Sequence, residues 1–297
     1  MPRANVTRRA LLIGGASAVV LAGAAALAVD ENILPGRSTM FRILGLDGKP
    51  GVLPDVAAGL MVSGNFTSAK RLGKEVGWAM SYPPGALPGD KLPVLIALHG
   101  FGGSHKGAFS PHLGLDRFLA QAVKNGSKPF AIAAVDGGNS YWHKRETGED
   151  SAGMVIDEFI PLLADHGIDT SRVGLMGWSM GGFGALYIAS QLGADRCATV
   201  VAESPALWLN ASKAAHGAFD NAADFNAHTP LGRQKELDGI AVRVDCGIGD
   251  GFYPVAEKYV DGFTKHPAGG FVAGGHTTGY WRGRAPEQLK FVASHLS

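Results

Sequence analysis

The sequence predicts an α/β fold, a mostly parallel sheet with helices on both faces, and three observations carry that reading. From Leu92 onward, short apolar runs alternate with longer segments of mixed polarity, the order that strand, helix, strand units produce. The runs are nearly continuous in their apolar character, as in Leu92–Leu98, which fits strands buried on both faces. Between one such run and a helix-like segment lies Gly177-Trp178-Ser179-Met180-Gly181, a G-x-S-x-G turn that belongs to that junction.

Residues 1–28 stand outside this pattern. Arg3, Arg8 and Arg9 precede an uncharged run from Ala10 to Val29, rich in Ala, Gly, Leu and Val. Thr7-Arg8-Arg9-Ala10-Leu11-Leu12 resembles a twin-arginine export signal, and Ala26-Leu27-Ala28 offers a small-residue cleavage site. The expectation is cleavage, with retention as an N-terminal anchor the alternative. Either way the remaining chain faces outward, an extracytoplasmic protein that is secreted or associated with a bacterial cell envelope. Of 27 basic residues, three fall in this segment with no acid, leaving 24 against 26 acidic ones. The full chain carries +1 and has no basic block beyond its N-terminus, so nucleic acid is not an expected partner. At 46% hydrophobic residues, the rest can fill a globular core.

Residues 29–62, dense in Gly and Pro, are expected to be a linker and irregular lead-in, and 63–297 the globular domain. Gly64–Ser68 and Val76–Tyr82 predict an antiparallel edge pair. Strands follow at Leu92–Leu98, Phe130–Val135, Ser171–Met176, Ala198–Ala202, Ile240–Val244 and Phe271–Ala273. Helices are predicted over Pro111–Lys124, Ala152–Asp165, from Gly182, over Val255–Lys265 and over Pro286–Leu296. Pro161 should loosen its helix, because it has no N–H to donate. The stretch 205–238 has no helical stripe and exceeds an ordinary connection, which marks a lid or insertion. Cys197 and Cys246 fall at opposite ends of adjacent parallel strands, too far apart to bridge.

The chemistry starts from Ser179. A serine on so sharp a turn adopts strained backbone geometry, and the flanking glycines relieve the crowding. Such a nucleophile needs a base, a group to orient the base, and donors for the oxyanion. Among ten histidines, His276 arrives directly after the last strand, at the edge where sites form. His266 precedes that strand, and His99 belongs to a glycine-rich loop. For the acid, Asp250 follows the Ile240–Val244 strand; Asp245 is closer to the strand and reads as structural, and Glu257 falls inside a helix. The order Ser179, Asp250, His276 is that of the α/β-hydrolases. His99-Gly100-Phe101-Gly102-Gly103 supplies the first oxyanion donor, so the pair is the N–H groups of Phe101 and Met180. Aromatic residues after strand ends, Tyr141 and Trp142 with His143, and Phe252, Tyr280 and Trp281, are expected to line an acyl pocket, and Trp208 of the insertion is a further substrate-binding candidate that could stack on a sugar ring. No metal-ligand spacing and no phosphate-binding glycine motif with its lysine stand out, so no metal is expected.

Tyr82-Pro83-Pro84-Gly85, Leu98-His99-Gly100, the run from Gly177 to Ala185, and Cys246-Gly247 with Asp250 together resemble the putative-esterase family. That family includes esterase D-type enzymes, feruloyl esterases and secreted mycolyltransferases. The similarity covers roughly residues 75–295, and it implies an α/β-hydrolase fold, the triad above and no cofactor. Trp178 stands where a histidine is common. The acid is an aspartate where the mycolyltransferases have glutamate, which turns the expectation away from mycolyl transfer. The resulting expectation is an exported serine esterase acting on a small-molecule or lipid ester. The alternatives are an acyltransferase to a sugar or other alcohol, and a catalytically inactive envelope binding protein.

Overall fold

The computed structural model describes residues 37–45 and 47–296; the expected export segment lies outside them. Eight strands form one sheet in the order β1-β2-β4-β3-β5-β6-β7-β8. They are β1 Met61–Ser68, β2 Lys74–Ser81, β3 Pro93–Leu98, β4 Ala131–Val135, β5 Asp169–Trp178, β6 Cys197–Glu203, β7 Ala241–Gly247 and β8 Ala268–Val272. β1 pairs with β2 and β2 with β4 antiparallel, and every later pairing is parallel. The helices are α1 Arg37–Ile43, α2 Leu115–Lys124, α3 Ser151–Met154, α4 Ile160–Asp165, α5 Met180–Arg196, α6 Ala222–His228, α7 Tyr253–Asp261 and α8 Thr278–His295.

The period of two along each strand sorts the core into two layers. Val94, Ile96 and Leu98 join one cluster with Phe159, Leu163, Phe183 and Leu186 from α3–α5 and the turn between them. Leu95 and Ala97 point the other way, into a cluster with Phe118 and Leu119 of α2 and Leu289 and Val292 of α8. Helices therefore cover both faces, as the continuous apolar runs require.

Several helices differ from expectation for local reasons. α2 begins at Leu115, not Pro111, because Gly114 takes a left-handed turn at φ 65° immediately before it. Pro286 does not open the last helix but lies inside α8, which starts at Thr278. Thr277 caps it by accepting the Tyr280 N–H at 3.2 Å, a start signal stronger than the proline nine residues on. The predicted loosening at Pro161 takes the form of a π turn over Val155–Phe159, where the Ile160 N–H reaches back to Val155 O.

Two further points concern the flanks. The lead-in, expected to be irregular, carries helix α1 over Arg37–Ile43, and the irregular stretch after it is pinned: Gly51 N–H donates to Gly279 O at 2.8 Å and Arg282 Nε to Gly51 O at 2.6 Å. The cysteines are buried and free. Cys197 opens β6, whereas Cys246 lies one residue beyond the Glu203–Asp245 pairing at the far end of β7. That offset is roughly 20 Å along the strands.

Candidate active site

Every loop that matters here leaves the carboxyl edge of the parallel strands, the usual location of sites in such sheets. Ser179 joins β5 to α5 at φ 57° and ψ −121°, a conformation that a non-glycine residue adopts only under constraint. The constraint is close packing of bare backbone. A Cβ on Gly177 would lie 2.2 Å from Gly181 O, and one on Gly181 would lie 2.0 Å from Leu98 O. These glycines let the first turn of α5 rest directly on the end of β3. Ser179 N–H donates to Glu203 O at 3.0 Å, and Ser179 O accepts from Ala206 N–H at 3.0 Å, so the turn is tied to the neighbouring strand on both sides.

His276 reaches this serine from the loop after β8. Its Nε2 lies 2.9 Å from Ser179 Oγ, and its Nδ1 lies 2.8 Å from Asp250 Oδ2. With the proton on Nδ1, the ring donates to the carboxylate and accepts from the hydroxyl. Asp250 is fully buried, while the His276 side chain is 29% exposed, so one end of the line is shielded and the other is open to a substrate. The carboxylate is aimed by the Phe252 N–H, which donates to Oδ1 at 2.9 Å. Loop joins loop through Gly249 N–H to Gly274 O at 2.8 Å and Ile248 N–H to Val272 O at 2.9 Å. The His276 ring is held edge-on by Trp281, 5.1 Å between centroids, and flanked by Phe252 at 5.3 Å.

The other candidates for base and acid lie elsewhere. His266 sits just before β8, with Nδ1 on Pro267 O at 2.9 Å. His99 is a bracket inside the fold: Nδ1 donates to Gly100 O at 2.8 Å and Nε2 accepts the Gly137 N–H at 3.0 Å. Burial holds its pKa below the ordinary histidine value. Asp245 is buried with Arg243, at 2.7 Å, and Gln288, at 3.0 Å. Glu257 lies on α7 and accepts from Tyr253 Oη at 2.5 Å.

Of the two expected oxyanion donors, Met180 is the first residue of α5, so its N–H has no preceding turn to bond to. Phe101 sits in the turn closed by Gly103 N–H to Gly100 O at 3.0 Å, with Gly102 N–H held by Asn139 Oδ1 at 2.7 Å. Gly181 packs onto the carbonyls of Leu98 and His99, which brings that turn and the start of α5 together.

The expected pocket residues divide. Phe252 is partly exposed beside His276, and Trp208 packs edge-on against it with centroids 5.7 Å apart. Tyr141 extends the row, 5.5 Å from Trp208. Trp142 is a correction: it is fully buried, donates Nε1–H to His99 O at 3.2 Å, and fills the space that Gly137 and Gly184 leave. Tyr141 and Trp142 have φ of 55° and 56°, and this double left-handed turn sends the indole inward.

One buried group had no signature in the sequence. Glu203, at the end of β6, is 1% exposed and lies opposite Asp245. Burial, and then the Asp245 charge, hold its carboxyl well above the usual range. It lies directly behind the serine turn, its backbone O accepting the Ser179 N–H at 3.0 Å.

Sheet order, strained serine and the hydrogen-bonded line from Ser179 to Asp250 are together those of an α/β-hydrolase. The family model described as "Putative esterase" matches residues 69–292, and the chain belongs to that family, an ester-hydrolysing group of enzymes. Solved structures share the fold at low identity. A ferulic acid esterase superposes with a TM-score of 0.69 at 19% identity, covering 81% of this chain and 100% of that one. A ferulic acid esterase from Anaeromyces mucronatus gives 0.65 at 20% identity, with 84% and 94% covered. An S-formylglutathione hydrolase from Agrobacterium tumefaciens gives 0.63 at 18%, with 84% and 100% covered. A search of curated protein sequences finds no match.

Proposed function

We propose that this carboxylic-ester hydrolase works through an acyl-enzyme on Ser179. The single observation that supports the reading most is the unbroken line of hydrogen bonds, 2.9 Å from Ser179 Oγ to His276 Nε2 and 2.8 Å from His276 Nδ1 to Asp250 Oδ2. In the first half-reaction Ser179 Oγ attacks the ester carbonyl carbon while Nε2 takes the hydroxyl proton. The oxyanion is met by the N–H groups of Phe101 and Met180 at the positive end of α5. The carbon–oxygen bond to the alcohol then breaks, and Nε2 returns the proton to the leaving oxygen. Water repeats the sequence on the acyl-enzyme, freeing the acid and restoring Ser179. Asp250 stays ionised throughout and balances the imidazolium. Phe252 and Trp208 form the apolar wall for the acyl group beside His276.

Hydrolysis and transfer share every step to the acyl-enzyme and differ only in the nucleophile that follows. Transfer requires an acceptor alcohol held in place against bulk water. With a chromogenic short-chain ester, free acid is expected to dominate over acylated product when glycerol or glucose is added at millimolar concentration. Dominance of the acylated acceptor in that assay would replace the hydrolase with an acyltransferase.

The same reading puts the mature enzyme outside the cytoplasm, on the strength of Arg8-Arg9 and the apolar run that follows. N-terminal sequencing of exported protein should begin near Val29. Changing both arginines to lysine should retain the protein inside; unaffected export would exclude the twin-arginine route.

A further inference from the structure

We propose that His143, Asp224 and His228 form a binding site for one divalent transition-metal ion, best suited to Zn²⁺, which clamps the 205–238 insertion to the loop after β4. The inference is independent of the esterase reading. Among the described residues these three offer donor atoms that all lie within 4.8 Å of one another. Asp224 Oδ1 is the hub, 2.8 Å from His228 Nδ1 and 3.6 Å from His143 Nδ1. In a tetrahedral zinc site with bonds of about 2.0–2.1 Å, ligand atoms sit roughly 3.3 Å apart. The two observed spacings bracket that value. Asp224 and His228 are four residues apart on α6, the spacing that puts two side chains on one helix face.

The surroundings are those of a ligand set with its outer partners in place. A metal-binding histidine usually donates its second ring N–H to a carbonyl or carboxylate. His143 Nε2 lies 3.0 Å from Ala218 O, and with the proton on Nε2 the Nδ1 atom is left as a lone pair. That lone pair faces Lys144 O at 3.0 Å. A neutral imidazole has only one N–H, so one of these two carbonyls meets a lone pair whichever tautomer forms. The ring is fully buried, and neither tautomer resolves the conflict. A cation bound at Nδ1 does. The Asp224 carboxylate is likewise aimed from behind, with Oδ2 accepting the Asp220 N–H at 2.8 Å. Asp220 is itself held by Arg145 at 2.6 Å.

His143 and His228 stack with centroids 4.5 Å apart and planes 25° apart. Coordination therefore requires the His228 ring to turn so that the lone pairs converge, its Nδ1 proton passing through solvent to Nε2. His228 can do this: it is the last residue of α6 and, at 17% exposure, the most accessible of the three. Two imidazoles and one carboxylate suit Zn²⁺, with water completing the tetrahedron. The ion joins the segment carrying Tyr141 to the one carrying Phe219, which already stacks on His143 with centroids 5.1 Å apart.

The test uses the full chain, freed of metal by chelation and dialysis, and titrated with Zn²⁺ by calorimetry and with Co²⁺ by visible absorption. One equivalent should bind, Co²⁺ should give the intense bands of a tetrahedral site, and the thermal midpoint should rise with Zn²⁺ concentration. His228→Ala and Asp224→Asn should each weaken binding by at least the ~10–100-fold that loss of an outer partner costs. These variants are the informative ones, because the buried His143 is the position where replacement endangers folding. His276→Ala should bind Zn²⁺ like the unmodified chain. Absence of stoichiometric binding, or binding that survives His228→Ala and falls with His276→Ala, would overturn the site.

Discussion

Ser179→Ala is expected to lower kcat for ester hydrolysis by on the order of 10⁶ and to remove covalent labelling by a fluorophosphonate. The magnitude follows from what the hydroxyl does. On the proposed acyl-enzyme route it is the atom that bonds to the acyl carbon, and without it His276 and Asp250 have no proton to move. What remains is binding and the oxyanion donors acting on a poorly placed water, worth roughly 10³–10⁴ over the uncatalysed reaction. The fold should tolerate the change. Ser179 is held at φ 57° through its backbone, by Glu203 O and Ala206 N–H, and alanine keeps both bonds. Mass mapping of the labelled native protein is the decisive measurement. Label on Ser179 alone supports the acyl-enzyme reading, and label on another serine refutes it.

Asp250→Asn should cost about 10⁴ in kcat, by analogy with loss of the orienting acid in a serine-protease triad, while the thermal midpoint changes little. Asparagine can still accept the Phe252 N–H through its oxygen, the bond that Asp250 Oδ1 makes at 2.9 Å. Its NH₂ group then faces His276 Nδ1 and donates to it. The imidazole proton moves to Nε2, where it opposes the Ser179 hydroxyl instead of accepting from it. Glu257→Gln should leave kcat nearly unchanged, because Glu257 is engaged with Tyr253 on α7. Steady-state kinetics on the pair separate the two acids. A silent Asp250→Asn beside a severe Glu257→Gln would reverse the assignment.

How much of this was legible in the chain depends on how local the signal is. The parallel strands were visible because burial on both faces leaves an uninterrupted apolar run. Ser179, Asp250 and His276 could be ordered because each directly follows a strand, and strand ends share one edge. Their meeting at hydrogen-bond distance is set by sheet register, which no local pattern encodes. Trp142 shows the limit of reasoning from a strand end. Position after β4 says which edge a residue reaches, not which way its side chain turns, and two positive φ angles decide that. Thr277 as a helix start was hidden by Pro286, a more conspicuous but misleading mark in the sequence. His143 and Asp224 were beyond reach as a pair, lying 81 positions apart and converging only when the insertion folds back.

The two thiols have a consequence for the order of events in the cell. A bridge between them is ruled out by the roughly 20 Å offset along β6 and β7. Burial pushes the Cys197 thiol up to about 12, and burial followed by the Asp250 charge pushes Cys246 well above its usual value. Both are therefore held as inert thiols, poor nucleophiles toward oxidant or mixed disulfide. No covalent bond in the domain waits on an oxidising compartment. The sheet, the serine turn and the loops around it can all be completed in reducing surroundings, next to the ribosome. Assembly first and passage afterwards is the sequence of events that a translocase for folded cargo demands, so the unbridged cysteines are compatible with the twin-arginine route proposed above.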